Sequence, residues 1–125
     1  MYYSLVYPHL LYGILVWGGA SDTHLEPLVV LQKRIIRNLT LSEYRAHTKP
    51  LFFKCRILRV DDLYRYAVGV YMFNKYASGT LEYPDHLFNT RSRNNALVSY
   101  PRLSQCRKSL TYIGCLLYTS DAADE

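Results

Sequence analysis

Residues 2–40, YYSLVYPHLLYGILVWGGASDTHLEPLVVLQKRIIRNLT, decide the fold that we predict for this chain. A mostly apolar run is followed by two glycines and then by an amphipathic pattern. At about 100° per residue, the apolar side chains of the second part fall within less than half of a helix circumference. They are Leu25, Leu28, Val29, Leu31, Ile35, Ile36 and Leu39. We therefore expect two helices packed as an antiparallel hairpin.

The other side of the second helix is basic. Lys33, Arg34 and Arg37 fall outside the apolar arc, and Arg45 and Lys49 follow shortly after the helix. Cations grouped in this way suit a polyanionic partner, although a basic side that is merely solvated is an equally good interpretation for any single residue. Gln32 is the only polar residue inside the apolar arc. We expect it to be buried and hydrogen-bonded.

The opening apolar run predicts a buried helix. From Leu5 to Ala20 it has sixteen residues, fewer than the roughly 20 that a membrane span needs. No basic residues precede it, as they would in a signal peptide. The sequence therefore predicts no membrane partner, and Pro8 predicts that the helix starts or bends near Tyr7.

The turn between the two helices carries start and stop signals. Gly18 and Gly19 predict the end of the first helix. Thr23 and Glu26 have the spacing of a capping box, which predicts the start of the second helix. Residues 1–40 thus form the predicted hairpin.

Downstream, the pattern remains helical as far as residue 80. Residues 41–80 predict a basic connector and two further helices, the second capped by Asp61 or Asp62 and ended by Gly79. The face expected to be buried on that helix consists of Leu63, Tyr66, Ala67, Val70 and Phe73. Residues 81–114 contain prolines, asparagines and cations, and predict an irregular basic segment. The fold class is therefore all-α, as part of a domain.

Composition limits the chemistry. Three of the ten acidic residues lie in the last five positions, so residues 1–114 carry fifteen basic and seven acidic residues, a net charge of +8. The three cysteines and four histidines are scattered, without the spacing of a metal site or a disulfide framework. We predict no catalytic residue and no bound metal in this chain.

Four segments, in order across residues 2–114, resemble the C-terminal part of the reverse transcriptase of a jockey-like non-LTR retrotransposon. They are YYSLVYPHLLYGILVWG with LxxLVVLQKRIIRNLT, then KPLFFKCRILRVDDLYRYAVGVYMF, then NTRS at 89–92 and KSLTYIG at 108–114. In that family the two helices of the first segment belong to the thumb, which grips the primer and template. The resemblance gives structural roles to Pro8, Tyr12, Gly13, Trp17 and Gly18.

What the resemblance implies is a non-catalytic part of an RNA-directed DNA polymerase. The carboxylates that hold Mg²⁺ in the complete polymerase belong to a palm domain upstream in the same polyprotein, and the Asp61-Asp62 pair is better explained by helix capping. The expected partners are an RNA/DNA primer–template and that palm, within an intracellular retroelement complex, nuclear or cytoplasmic. Lys33, Arg34, Arg37, Arg45 and Lys49 are the expected backbone contacts.

The last residues depart from the family pattern. Residues 115–125, CLLYTSDAADE, match the translation of a transposase-type sequencing adapter, so we predict that they are not part of the gene. Two other interpretations of the chain remain open at this point. One is a helical protein-interaction module with a tyrosine-rich surface, and the other is a translated transposon relic with no function.

Overall fold

The computed structural model describes residues 1–80, 101–104 and 106–123, and for 106 and 118–123 the backbone only. Within these ranges the chain is all-α, as predicted. The helices are α1 (Tyr2–Leu5), α2 (Tyr7–Leu11), α3 (Ile14–Trp17), α4 (Asp22–Leu39), α5 (Thr48–Cys55), α6 (Val60–Ala77) and α7 (Leu110–Ala123). The chain divides into two compact units, Met1–Arg65 and Tyr66–Glu125, a boundary that lies within α6 and was not predicted.

The first apolar run forms three short helices where we predicted one. Pro8 lies in the first turn of α2, which begins at Tyr7 as expected. The second break comes at Tyr12, which is extended, and at Gly13, which has a left-handed φ of 63°. Trp17 holds this break closed, because its indole Nε1 donates to the Tyr12 carbonyl at 2.7 Å. The Tyr12, Gly13 and Trp17 pattern therefore builds a kink.

Helix α4 begins two residues earlier than predicted, so the capping-box prediction was wrong. The N-cap is Ser21, and Thr23 and Glu26 are residues within the first turns. The Ser21 hydroxyl lies 2.6 Å from Nδ1 of His24 and makes no capping bond to the backbone. Pro27 lies inside this helix, and its missing N–H deprives the Thr23 carbonyl of a helix partner.

Gln32 is the polar centre of the first unit. Its side chain is 1% exposed. Its amide nitrogen donates to the Tyr2 hydroxyl and to the Leu58 carbonyl, both at 2.8 Å, and its amide oxygen accepts from the Val60 N–H at 3.1 Å. The prediction of a buried, hydrogen-bonded Gln32 is confirmed. The bond to Tyr2 ties the start of the first run to the middle of α4.

The apolar core of this unit takes buried side chains from each of α1 to α6. Val29 and Ile36 lie one turn before and after Gln32 on α4, and both are buried. Gly18 approaches the ring of Tyr64 so closely that any Cβ there would overlap with it. The other buried apolar residues of the unit are Tyr2, Leu10, Ile14, Phe52, Ile57, Val60 and Leu63.

Helix α6 buries a different face from the one predicted. Tyr66 and Phe73 are 59% and 65% exposed, and Val70 is exposed as well. The buried side chains of α6 are Val60, Leu63, Tyr64, Val68 and Met72. Apolar residues surround almost the whole circumference of this helix, so its sequence periodicity does not select one side.

The start of α6 also differs from the prediction. The helix begins at Val60, so Asp61 and Asp62 lie inside its first turn and neither is the cap. Their negative charges interact favourably with the helix dipole there. The Asp61 carboxylate accepts from Arg59 at 2.7 Å. At the other end Gly79, with φ of 67°, terminates the helix as predicted, and the Thr80 N–H donates to the Lys75 carbonyl in a Schellman turn.

In the second unit, α7 packs on α6 through Gly114. A Cβ at this glycine would lie 2.5 Å from the Met72 sulfur and 3.5 Å from a Val68 methyl group, so any larger residue would require Met72 to move. Helix α7 starts at Leu110, inside the segment that we predicted to be irregular. Residues 81–100 of that segment lie outside the described residues. The adapter origin of residues 115–125 stays a prediction, although α7 continues through most of them.

Candidate nucleic-acid interface

The basic side of α4 is partly covered by the connector that follows it. The guanidinium of Arg37 donates through Nε to the Ala46 carbonyl at 3.1 Å. Arg37 and Lys33 are therefore half-buried, whereas Arg34 is exposed. The basic residues on this side of the chain line two separate hollows.

The first group surrounds a surface hollow of about 460 Å³, here called the basic hollow. Its cations are Lys33 from α4, Lys49 from α5 and Arg59 from the turn before α6. The remaining lining residues are His47, Thr48, Pro50 and Phe52. The structure thus brings together Lys33 and Lys49, which are sixteen positions apart in the sequence.

The second group of cations belongs to a separate hollow. Arg34 and Arg37 line a hollow of about 470 Å³ together with Asn38, Ser42 and the exposed ring of Tyr44. Among the described residues that line either hollow, none is acidic. An anion entering either hollow would meet two or three cations and no carboxylate of the lining.

Of the five predicted contact residues, Arg45 is the one that lines neither hollow. It is an exposed connector residue with no ion pair among the described residues. Sequence analysis, in turn, missed Arg59, because nothing in the local pattern distinguishes it from the other arginines. Only the fold brings the turn before α6 close to α4 and α5.

The acidic, histidine and cysteine side chains of the described residues are scattered. Among them, no three of His, Cys, Asp and Glu lie close enough to hold a metal ion, and Asp61 is engaged by Arg59. Cys55 is a free thiol, and burial raises the pKa of the Cys115 thiol, which disfavours its thiolate.

Within the described part of the chain, none of the helices has both the length and the apolar character that crossing a bilayer requires.

Comparison with known proteins does not assign the chain to a family. No protein family model, no curated protein and no solved structure matches it.

Proposed function

We propose that this chain binds the phosphate backbone of nucleic acid, as the thumb-like C-terminal part of a retrotransposon RNA-directed DNA polymerase. The observation that carries the proposal is the pair of hollows on the basic side of α4, lined by cations from several elements and by no acidic residue. Phosphate contacts of this kind supply affinity and position a duplex without reading its sequence.

The geometry favours a gripping role over a catalytic one. Arg34 is exposed and Lys33 and Lys49 share one hollow, so these cations can reach phosphates on a surface that approaches α4. In the proposed polymerase, catalysis and Mg²⁺ belong to the palm domain, and this chain holds the primer–template duplex beside it. Neither step needs a carboxylate from the described residues.

The test is the salt dependence of duplex binding by the full 125-residue chain. Fluorescence anisotropy with a labelled primer–template duplex, measured between about 50 and 200 mM salt, gives the slope of log affinity against log salt. Lys33→Gln with Arg34→Gln should weaken binding and make this slope shallower by roughly one unit for each phosphate that the protein no longer neutralises. Arg37 is left intact, because its bond to Ala46 supports the fold.

The matched control removes the same charge elsewhere. Lys54 and Arg65 are exposed and line neither hollow. Lys54→Gln with Arg65→Gln should leave the slope close to that of the unmodified chain. Equal losses of affinity from the two pairs would show that binding follows net charge alone, and would overturn the assignment of this surface.

One observation favours the protein-interaction module as a second candidate. Tyr66, Val70 and Phe73 recur at helical spacing on α6, and all three are exposed among the described residues. In a chain that acts only through this stripe, Lys33→Gln with Arg34→Gln would have no specific effect on duplex binding. The same titration therefore separates the two functions.

A further inference from the structure

The basic hollow gathers positive charge from three separate elements. Lys33 comes from α4, Lys49 from the first turn of α5, and Arg59 from the turn that precedes α6. All three lie in the first compact unit. Asp61 pairs with Arg59, but Lys33 and Lys49 have no ion pair among the described residues, so an anion in the hollow would offset their charge.

Several hydrogen-bond donors of this hollow have no acceptor among the described residues. Nη2 of Arg59 donates to Asp61, and its Nε, which makes no hydrogen bond, is closed to solvent, so a ligand in the hollow would meet this guanidinium through its Nη groups. The backbone N–H groups of Thr48 and Lys49, in the first turn of α5, are likewise without a partner. The N-cap residue, His47, makes no side-chain capping bond. These donors complement an oxygen-rich anion.

We infer that the basic hollow is a binding site for a phosphate group. A tetrahedral phosphate presents oxygens in several directions at once, which matches cations that arrive from three elements, and charge-assisted bonds to phosphate are the stronger class of hydrogen bond. A carboxylate, with two oxygens in one plane, would satisfy fewer of these donors. A metal cation would be repelled by all three side chains.

The size of the hollow indicates what else the ligand carries. A volume of about 460 Å³ lies in the range of small-molecule sites, which leaves room for a sugar or base attached to the phosphate. Pro50 and Phe52 supply apolar wall for that part. The inference deepens the proposed function and rests on it for the source of the phosphate, which is either an internal phosphodiester or a phosphate monoester at a strand end.

The first test uses inorganic phosphate and the full chain. In NMR titrations at constant ionic strength, phosphate replacing chloride should shift the amide signals of Thr48 and Lys49 saturably. Lys33→Gln should raise the apparent Kd about tenfold, the effect of losing one hydrogen bond to a charged group. Lys54→Gln, an exposed change on the same helix α5 that lines neither hollow, should leave the Kd unchanged. Absence of saturable shifts would overturn the site.

A second variant increases affinity, which loss of folding could not mimic. Asp61 competes with any ligand for the Arg59 guanidinium through its contact at 2.7 Å. Asp61→Asn should therefore tighten phosphate binding severalfold, whereas Asp62→Asn, one position further along the helix, should not. Equal effects of the two variants would show that Arg59 does not hold the phosphate.

Oligonucleotides then distinguish the source of the phosphate from failure of either proposal. If a 5′-phosphorylated strand shifts Thr48 and Lys49 at lower concentration than its 5′-hydroxyl counterpart, the ligand is a strand end; equal potency indicates an internal phosphodiester. Shifts with inorganic phosphate but no binding of either strand would overturn the proposed function and keep the site. Strand binding that depends on Arg34 without shifts at Thr48 and Lys49 would overturn the phosphate site and keep the proposed function.

Discussion

Polar groups on the two sides of α4 differ in how far they are hydrogen-bonded within the protein. On the buried side, Gln32 uses its amide nitrogen and oxygen in three hydrogen bonds, one to Tyr2 and two to the segment that leads into α6. On the basic side, the next residue, Lys33, opens into a hollow with two further cations and no acidic lining residue. The polar group on the buried side is fully hydrogen-bonded within the protein, whereas the basic side has more hydrogen-bond donors than acceptors.

The difference separates stability from binding within a single helix. A buried amide is costly unless it is paired, so Gln32 fixes the positions of α1 and of the start of α6 relative to α4. Solvated cations contribute little to stability and are free to meet a ligand. Substitutions on the buried side should therefore act on folding, and those on the basic side on binding.

The largest effect is expected from Gln32→Leu. The change leaves the buried Val60 N–H and the part-buried Leu58 carbonyl without partners, and should lower the free energy of unfolding by about 3–5 kcal/mol. Asn38→Leu makes a similar exchange at an exposed position of the same helix and should change stability by less than about 0.5 kcal/mol. Urea unfolding measures both. A small loss of stability from Gln32→Leu would mean that the buried side is not organised by its amide.

Tyr2→Phe tests one bond of the same network and should cost about 1–2 kcal/mol, because one amide N–H of Gln32 loses its acceptor. Burial raises the pKa of Tyr2, although the bond from Gln32 lowers it in part. The stabilisation from neutral Tyr2 is therefore complete below about pH 10 and is lost as pH rises through the raised pKa. Tyr2→Phe should reduce this alkaline loss of stability.

Tyr64→Phe is the matched control for the network. Burial also raises the pKa of Tyr64, but its hydroxyl makes no hydrogen bond with the described residues. The variant should reduce the alkaline loss of stability with little cost at neutral pH. If the two variants behave alike at neutral pH in urea unfolding, the Tyr2–Gln32 bond adds nothing.

The same contrast explains how much of this structure was predictable from sequence. A clean division of apolar and polar residues made the buried side of α4 predictable, including Gln32 as its polar exception. The three bonds of Gln32 were not, because Leu58 and Val60 reach it only through tertiary packing. The buried face of α6 was predicted wrongly because Tyr66 and Phe73 are as apolar as the side chains that pack.

The candidate interface was predictable in part for a related reason. Local spacing identifies Lys33, Arg34 and Arg37 as one basic side, but it does not show that the connector folds back onto Arg37. Nor does it bring Arg59 beside Lys33 and Lys49, since that grouping depends on the path of the chain between α5 and α6. Non-local packing therefore decides which cations act together.

The smallest effect is expected from Arg37→Lys, where the two sides overlap in role. Lysine keeps the charge but removes the Nε donor to the Ala46 carbonyl, so the free energy of unfolding should fall by about 0.5–1 kcal/mol while the salt slope of duplex binding stays the same. Arg34→Lys, at an exposed position, should change neither quantity. A shallower salt slope for Arg37→Lys alone would show that this guanidinium touches phosphate directly, and that the basic side is less divided than its hydrogen bonds indicate.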